Sequence, residues 1–136
     1  MIARVVEHPL DLQFHVEHVS DPRAGAVATF VGLVRDHDPS VEGRVVGLDY
    51  TAHPSAQEVL TRIAEAAVRD DVLGIAVSHR IGHLAVGEAA IVAAVSTAHR
   101  AEAFDVCRAL VETVKAELPV WKREVLEDGS HVWVGL

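Results

Sequence analysis

The spacing of apolar residues in the first part of the chain predicts strands separated by a short helix. Residues 2–8 indicate a strand, and residues 9–21 indicate a short helix. The apolar stretch 24–36 contains two glycines and predicts a core strand that ends near Arg35. Residues 44–52 indicate a half-buried strand. In that strand Val45, Gly47 and Asp49 alternate with Val46, Leu48 and Tyr50.

The middle of the chain changes from helical to strand periodicity. Residues 55–70 predict a second helix. Its apolar stripe consists of Val59, Ile63, Ala66 and Ala67. Residues 74–80 and 89–96 predict two strands joined by a glycine-bounded loop.

The last third predicts a long helix and a hairpin. Residues 99–118 have helical periodicity, and the hairpin over residues 120–136 turns at the Asp128-Gly129 pair. The stripe of the helix consists of Phe104, Cys107, Val111, Val114 and Leu118. This order of elements predicts an α+β fold with a mixed, mostly antiparallel sheet and an added β-hairpin, in a single domain over residues 1–136.

Composition narrows the class of protein. The chain has 136 residues, half of them apolar, which suffices for one compact core. Twelve Lys and Arg against twenty Asp and Glu give a net charge of −8, the wrong sign for general binding to nucleic acid. A small phosphorylated ligand remains compatible with this charge, because basic groups can gather locally.

Cysteine content and hydropathy predict a cytoplasmic protein. Cys107 is the only cysteine, so the chain has no internal disulfide or thiolate metal set, and we expect Cys107 to be a small buried residue. The N-terminal residues do not resemble a signal peptide, and no apolar run approaches the length of a membrane span.

Two lysines flank one short connection, "VKAELPVWKRE". In helical projection Lys115 lies about 20° beyond Phe104, at the margin of the apolar stripe, where it either extends to water or opens into a pocket. Lys122 shares a strand face with Val120 and Glu124, which on its own favours a solvated face with a Lys122–Glu124 pair. Two cations this close lower each other's pKa, which makes one of them a candidate nucleophile or proton donor.

A second basic cluster lies in "STAHRAE", where a strand ends and a helix begins. His99 and Arg100 are unfavourable there for the helix dipole, and a bound phosphate or carboxylate would remove the conflict. An ordinary surface position is an equally good interpretation. Arg35, at the end of its strand, is a candidate third contact to the same anion.

Histidine spacing gives little support for a metal site. His15 and His18, and His79 and His83, have acceptable spacing, but no HExxH or Cys/His set accompanies them. We therefore expect no metal and no cofactor.

Three segments resemble the large, catalytic subunit of molybdopterin synthase. They are "GAVATFVGLVRDHD" at 25–38, the stretch 79–124 that includes "STAHR" and "VKAELPVWKRE", and the closing "DGSHVWV". With the elements between them, the resemblance covers nearly the whole chain. The combination of "STAHR" with the two-lysine segment is more specific than either alone.

The resemblance implies an α/β hammerhead-like fold and a sulfurtransferase of molybdenum cofactor biosynthesis. Family members form a homodimer within a heterotetramer, in which each copy binds a small ubiquitin-like sulfur-carrier subunit. The thiocarboxylated Gly-Gly tail of the carrier delivers sulfur to cyclic pyranopterin monophosphate, which yields the dithiolene of molybdopterin.

The resemblance also assigns roles to residues. It places the essential lysine at Lys115 and a second important lysine at Lys122. It places the substrate-binding pocket at His99 and Arg100, with Arg35 as another basic contact. The chain departs from the family at "YTAHPSA", where Thr51, His53 and Ala56 replace an acidic residue, a tyrosine and a methionine typical of relatives.

Two other functions compete with this one. A scaffold of the same fold would bind a ubiquitin-like partner without catalysis. The altered "YTAHPSA" segment is the reason to consider it. A lysine Schiff-base enzyme acting on a carbonyl substrate rests on the paired lysines alone.

Overall fold

The computed structural model describes residues 1–134, which form three helices and eight strands. The strands are β1 (Ile2–Val6), β2 (Ala26–Leu33), β3 (Val45–Ala52), β4 (Val72–Arg80), β5 (Gly82–Ala85), β6 (Ala89–Thr97), β7 (Val120–Leu126) and β8 (His131–Val134). The helices are α1 (Leu12–His18), α2 (Ala56–Ala66) and α3 (Arg100–Glu117). None of the helices in residues 1–134 is long and apolar enough to cross a membrane.

The strands form two four-stranded sheets. The first has the order β1-β4-β6-β2, in which β1 and β4 are parallel and the other pairs are antiparallel. The second has the order β5-β3-β7-β8 and is antiparallel throughout. The predicted α+β class is confirmed. The short strand β5 lies in what the sequence indicated as a loop.

Strand β2 is an edge strand, so its prediction as a core strand is wrong. It pairs only with β6, while α3 packs against it. Val27, Phe30 and Leu33 are exposed, and Ala28 is buried. Periodicity indicates that a strand is apolar, but it does not show which elements cover the strand.

A bulge in β3 changes which residues face the core. The register against β7 shifts between Val45 and Gly47, so Val45, Leu48 and Tyr50 are all buried. The simple alternation predicted for this strand is therefore wrong, because a bulge inserts one extra residue on one strand. A glycine suits this position, since a Cβ atom would lie 2.9 Å from the His83 ring and 3.0 Å from the Leu84 carbonyl oxygen.

The buried faces of α2 and α3 differ in part from their predicted stripes. On α2, Ile63 is buried as predicted, Leu60 is fully buried instead of Val59, and Ala66 is exposed. On α3, Phe104 is exposed, whereas Cys107 and Val114 are buried as predicted. The core of α3 consists of Ala103, Val106, Cys107, Leu110, Val111 and Val114.

The end of α3 leads directly into the second sheet. The helix ends at Glu117, and β7 begins at Val120 and pairs along β3. Pro119 cannot continue a helix, because its ring excludes the backbone hydrogen bond. The carbonyl of Pro119 accepts a 3.0 Å hydrogen bond from the His53 N–H, which ties the connection to the segment after β3.

The predicted turn of the final hairpin is confirmed. Strands β7 and β8 pair from Lys122 with Val134 to Val125 with His131. Gly129 has a φ of +85°, a conformation that glycine adopts readily. Residues 135 and 136, the end of the predicted hairpin, lie outside the described residues.

The burial of α2 can be tested with a matched pair of substitutions. Leu60→Ala removes a side chain with 0% exposure, so we expect the free energy of unfolding to fall by about 2–5 kcal/mol. Arg62→Ala, at an exposed position of the same helix, should change it by less than about 0.5 kcal/mol. Chemical denaturation measures both; equal effects would contradict the packing of α2.

Candidate active site

Lys115 and Lys122 are the only lysines of the chain. Lys115 lies in the last turn of α3, where the helix dipole favours a positive charge. Lys122 lies on β7, five residues after the helix ends at Glu117. The break at Pro119 therefore brings the two ammonium groups to the same end of the molecule, as the sequence predicts.

The surroundings of Lys115 lower the pKa of its ammonium group. The main cause is desolvation by the protein atoms around it, and the positive charge of Lys122 adds to the effect. Glu112, one turn earlier on α3, acts in the opposite direction. Lys115 thus combines access from the surface with a weakened hold on its proton.

Lys122 faces inward. It pairs across the sheet with the buried Tyr50 and shares its face of β7 with Val120 and Glu124, both buried. Its ammonium lies 3.9 Å from Oε1 of Glu124, so the two side chains are neighbours, as predicted. The prediction that this face of β7 is solvated is wrong, because the exposed side chain is that of Trp121, on the other face of the strand.

His79 is a neutral imidazole beside the lysines. Burial lowers its pKa to about 4, and the charge of Lys115 contributes to the shift. Its Nδ1 lies 2.9 Å from the Arg80 carbonyl oxygen and therefore donates to it, which leaves Nε2 as an acceptor. Tyr50 packs edge-on against the ring at 5.1 Å between centroids. The sequence indicated His79 only as a weak metal candidate.

Arg35 lies at the same end of the molecule as the lysines. Its charge acts on Glu124 of β7, as does that of Lys122. The side chain of Arg35 is exposed, because the chain leaves the sheet after Leu33. Arg35 can therefore meet an anion that also contacts the two lysines.

His99 and Arg100 lie at the opposite end of α3. Fifteen residues of helix separate Arg100 from Lys115, which corresponds to about 22 Å. Residue 26 of β2 pairs with Thr97 and residue 33 with Ala89, a stretch of about 23 Å, and Arg35 and His99 lie beyond its opposite ends. Within one chain, Arg35 therefore does not lie beside His99 and Arg100, and their shared role in substrate binding stays a prediction. His99 and Arg100 are exposed beside Gly25, in a shallow depression.

The departures from the family pattern lie next to the connection between the lysines. Thr51 is exposed and pairs across the sheet with Trp121, and His53 packs against the same tryptophan. Ala56 is buried at the start of α2. Within residues 1–134, none of the three side chains forms a hydrogen bond with Lys115 or Lys122.

The histidines with metal-like spacing have structural partners. His15 Nε2 lies 2.7 Å from the Ser78 hydroxyl, and this buried contact fixes α1 against β4. His83 pairs with Asp49, which also binds Arg123. Within the part of the chain that the structure describes, no group of three His, Cys, Asp or Glu could hold a metal ion.

The arrangement is suited to an anionic reactant. Three cationic groups, Lys115, Lys122 and Arg35, face one end of the molecule beside the neutral His79. Such a set attracts carboxylate-like or phosphate groups and can move a proton near neutral pH. The net charge of −8 does not oppose this, because basic groups gathered at one place can attract an anion in an acidic protein.

The coupling between the lysines can be measured directly. Reductive ¹³C-methylation labels Lys115, Lys122 and the N-terminal amine, and NMR titration then follows each pKa. We expect Lys122→Gln to raise the pKa of Lys115, because it removes a neighbouring positive charge. Glu112→Gln, the matched control, should lower it. An unchanged Lys115 pKa in Lys122→Gln would contradict the proximity of the two groups.

Known proteins are similar to this chain in both sequence and fold. A sequence model of the family described as "MoaE protein" matches residues 5–117. The molybdopterin synthase catalytic subunit of Thermoplasma volcanium is 41% identical over 93% of this chain and 90% of its own length. The crystal structure of molybdopterin synthase from Staphylococcus aureus superposes with a TM-score of 0.89 at 28% identity, covering 98% of this chain and 97% of that chain.

A more distant structure has the same architecture. The complex of subunits 1 and 2 of molybdopterin-converting factor from Helicobacter pylori contains a chain with a TM-score of 0.78 at 19% identity, a likeness of fold. It covers 96% of this chain and 88% of that chain. The family model and the similar relatives show that the chain belongs to the MoaE family of molybdopterin synthase catalytic subunits, enzymes of molybdenum cofactor biosynthesis.

Proposed function

We propose that this chain is a sulfurtransferase that moves sulfur from a thiocarboxylated carrier protein to cyclic pyranopterin monophosphate. The observation that carries the proposal is the pairing of the only two lysines at one site, one of them with a lowered pKa. Family membership supplies the reaction, and the chemistry of these residues suits it.

The charge of both reactants matches the charge of the site. A thiocarboxylate tail and a cyclic phosphate are anionic, so each gains from Lys115, Lys122 and Arg35. Lysine acts as a compact point charge, whereas the guanidinium of Arg35 can form paired hydrogen bonds to a phosphate. We therefore assign substrate binding to Arg35 and both binding and chemistry to the lysines.

Lys115 is the candidate proton carrier. Opening the cyclic phosphate and resolving the acyl intermediate of the carrier both require proton transfer. A lysine with a lowered pKa exchanges its proton more readily near neutral pH than an ordinary lysine does. Lys122, further inside, would stabilise negative charge as it develops on the reacting oxygen or sulfur.

The partners follow from the family. We propose that the chain binds a small ubiquitin-like subunit whose Gly-Gly tail reaches the lysines, and that two copies of the chain pair within a heterotetramer. A cytoplasmic location fits this role and the free, buried Cys107.

His99 and Arg100 would act from a second copy. About 22 Å of helix separates Arg100 from Lys115 in one chain, which is too far for both to contact the phosphate of one small substrate. In a two-fold dimer, the N-terminal end of one α3 can meet the C-terminal end of the other. We propose that the substrate pocket is completed in this way.

The role of Lys115 is tested by reconstitution. Purified chain, thiocarboxylated carrier and cyclic pyranopterin monophosphate are combined, and molybdopterin is detected as its fluorescent oxidised derivative. We expect Lys115→Ala to lower the rate more than about 100-fold, because it removes the proton carrier. Arg62→Ala, which is remote from the site, is the matched control.

Two outcomes would overturn parts of this proposal. Full activity in Lys115→Ala would remove Lys115 from the mechanism. Stable carrier binding by the wild-type chain without any product would favour the non-catalytic scaffold.

The sharing of a site between copies is tested by mixed dimers. Chains with Lys115→Ala and Arg100→Ala carry different tags, and tandem purification isolates dimers with one of each. We expect about half of the wild-type activity, because one of the two sites then has both residues intact. Dimers with Lys115→Ala in both copies are the control. Activity no higher than in that control would contradict the shared site.

A further inference from the structure

Two carboxyl groups from separate segments lie together beneath Lys122. Asp38 follows β2, and Glu124 lies on β7. Both are buried, Glu124 with an exposure of only 2%. A side-chain hydrogen bond between them shifts the pKa of both groups, downward for Asp38 and upward for Glu124. A carboxylate accepts hydrogen bonds and cannot donate one, so this contact requires a proton between the two groups.

The remaining contacts show which group holds the proton. Asp38 Oδ1 accepts hydrogen bonds from the Ser40 N–H at 2.8 Å and the Ser40 hydroxyl at 2.7 Å. Apart from its contact with Asp38, Glu124 has no such partner, because no N–H or O–H group of residues 1–134 donates to its buried Oε2. The Lys122 ammonium, at 3.9 Å, is too distant for a hydrogen bond. The Asp38 carboxylate is therefore stabilised as an anion, and Glu124 is not.

Electrostatics agree with this assignment. The hydrogen bond with Glu124, together with those from Ser40, lowers the pKa of Asp38 far below its ordinary value. Burial, and then the Asp38 contact, raise the pKa of Glu124 to about 7. Lys122 and Arg35 oppose that rise without cancelling it.

We infer that Glu124 holds a proton that it shares with Asp38, and that this carboxyl pair is a positioning device that leaves the Lys122 ammonium free for the substrate. Glu124 is thus a positioning residue, because it acts through Lys122. The inference rests on the proposed sulfur transfer for its effect on activity, but the shared proton itself does not depend on that function.

The protonation state sets the charge available to an anionic reactant. The groups that face Glu124 are Arg35 and Asp38 from the segment after β2, Tyr50 from β3 and Lys122 from β7. With one shared proton, the two carboxyl groups carry a single negative charge. When Glu124 ionises they carry two, and Lys122 becomes the counterion of a buried pair.

A pH dependence follows with a definite sign. Because the ionised form of Glu124 engages Lys122, kcat/KM should fall as the pH rises through the pKa of Glu124. Asp38→Asn removes the anion that helps to hold the proton on Glu124, so the fall should begin at lower pH. Glu124→Gln keeps a hydrogen-bond donor to Asp38 but cannot ionise, so the fall should disappear.

The test combines pH profiles of reconstituted synthase with infrared spectra of the chain alone. At about pH 6, ordinary carboxyl groups are ionised, so a protonated carboxyl band marks Glu124. We expect that band in the wild type, its absence in Glu124→Gln and its loss at lower pH in Asp38→Asn. The fall of kcat/KM should follow the band in each variant.

The outcomes separate this inference from the proposed function. A wild-type spectrum without the band, or identical pH profiles in all three proteins, would overturn the positioning role. A merely structural role would lower activity uniformly and leave the profile unchanged. If the wild type makes no product although the band is present, the sulfur transfer fails while the shared proton stands.

Discussion

The site depends on one constraint: α3 must stop where the second sheet begins. Pro119 prevents the helix from continuing, and the pairing of β7 with β3 fixes the direction in which the chain resumes. The hydrogen bond from His53 to the Pro119 carbonyl holds the turn in place. Lys115 and Lys122 come from two different elements, yet this short connection keeps their charges close enough to affect each other.

Charge is distributed in a way that makes the pair useful. Ten of the twelve basic residues are arginines, and both lysines lie at the site. Lysine shifts its pKa readily when it is desolvated, whereas arginine stays charged. The inner face of β7 places a carboxyl pair with one shared proton beneath Lys122, so the site has a net positive charge within an acidic protein. The same set of contacts therefore serves attraction of an anion and transfer of a proton.

Much of the fold and part of the site could be predicted from the sequence. The long helix, the Pro119 break and the Asp128-Gly129 turn have local signals, and the structure confirms each. The edge position of β2 and the exposure of Phe104 could not be predicted, because both depend on which elements pack above them. The bulge in β3 changes which residues of that strand face the core, and the alternation of apolar and polar residues in the sequence does not indicate it.

The site residues could likewise be predicted where they lie close together in the sequence, and not where they come from distant segments. Lys115 and Lys122 could be found because they flank one connection. Asp38 and His79 come from distant segments and meet the lysines only after both sheets form. Nothing in the sequence indicated Asp38, and the spacing of His79 indicated only a weak metal candidate. His99 and Arg100 were grouped with the lysines through resemblance, and the length of α3 separates them within one chain.

In the proposed reaction, the two lysines receive the anionic groups of the reactants. A crystal structure of the chain with its carrier and cyclic pyranopterin monophosphate tests this most directly. We expect the carrier tail to end within hydrogen-bonding distance of Lys115 Nζ, with the substrate phosphate near Lys122 or Arg35. A tail and a substrate bound away from both lysines would contradict it.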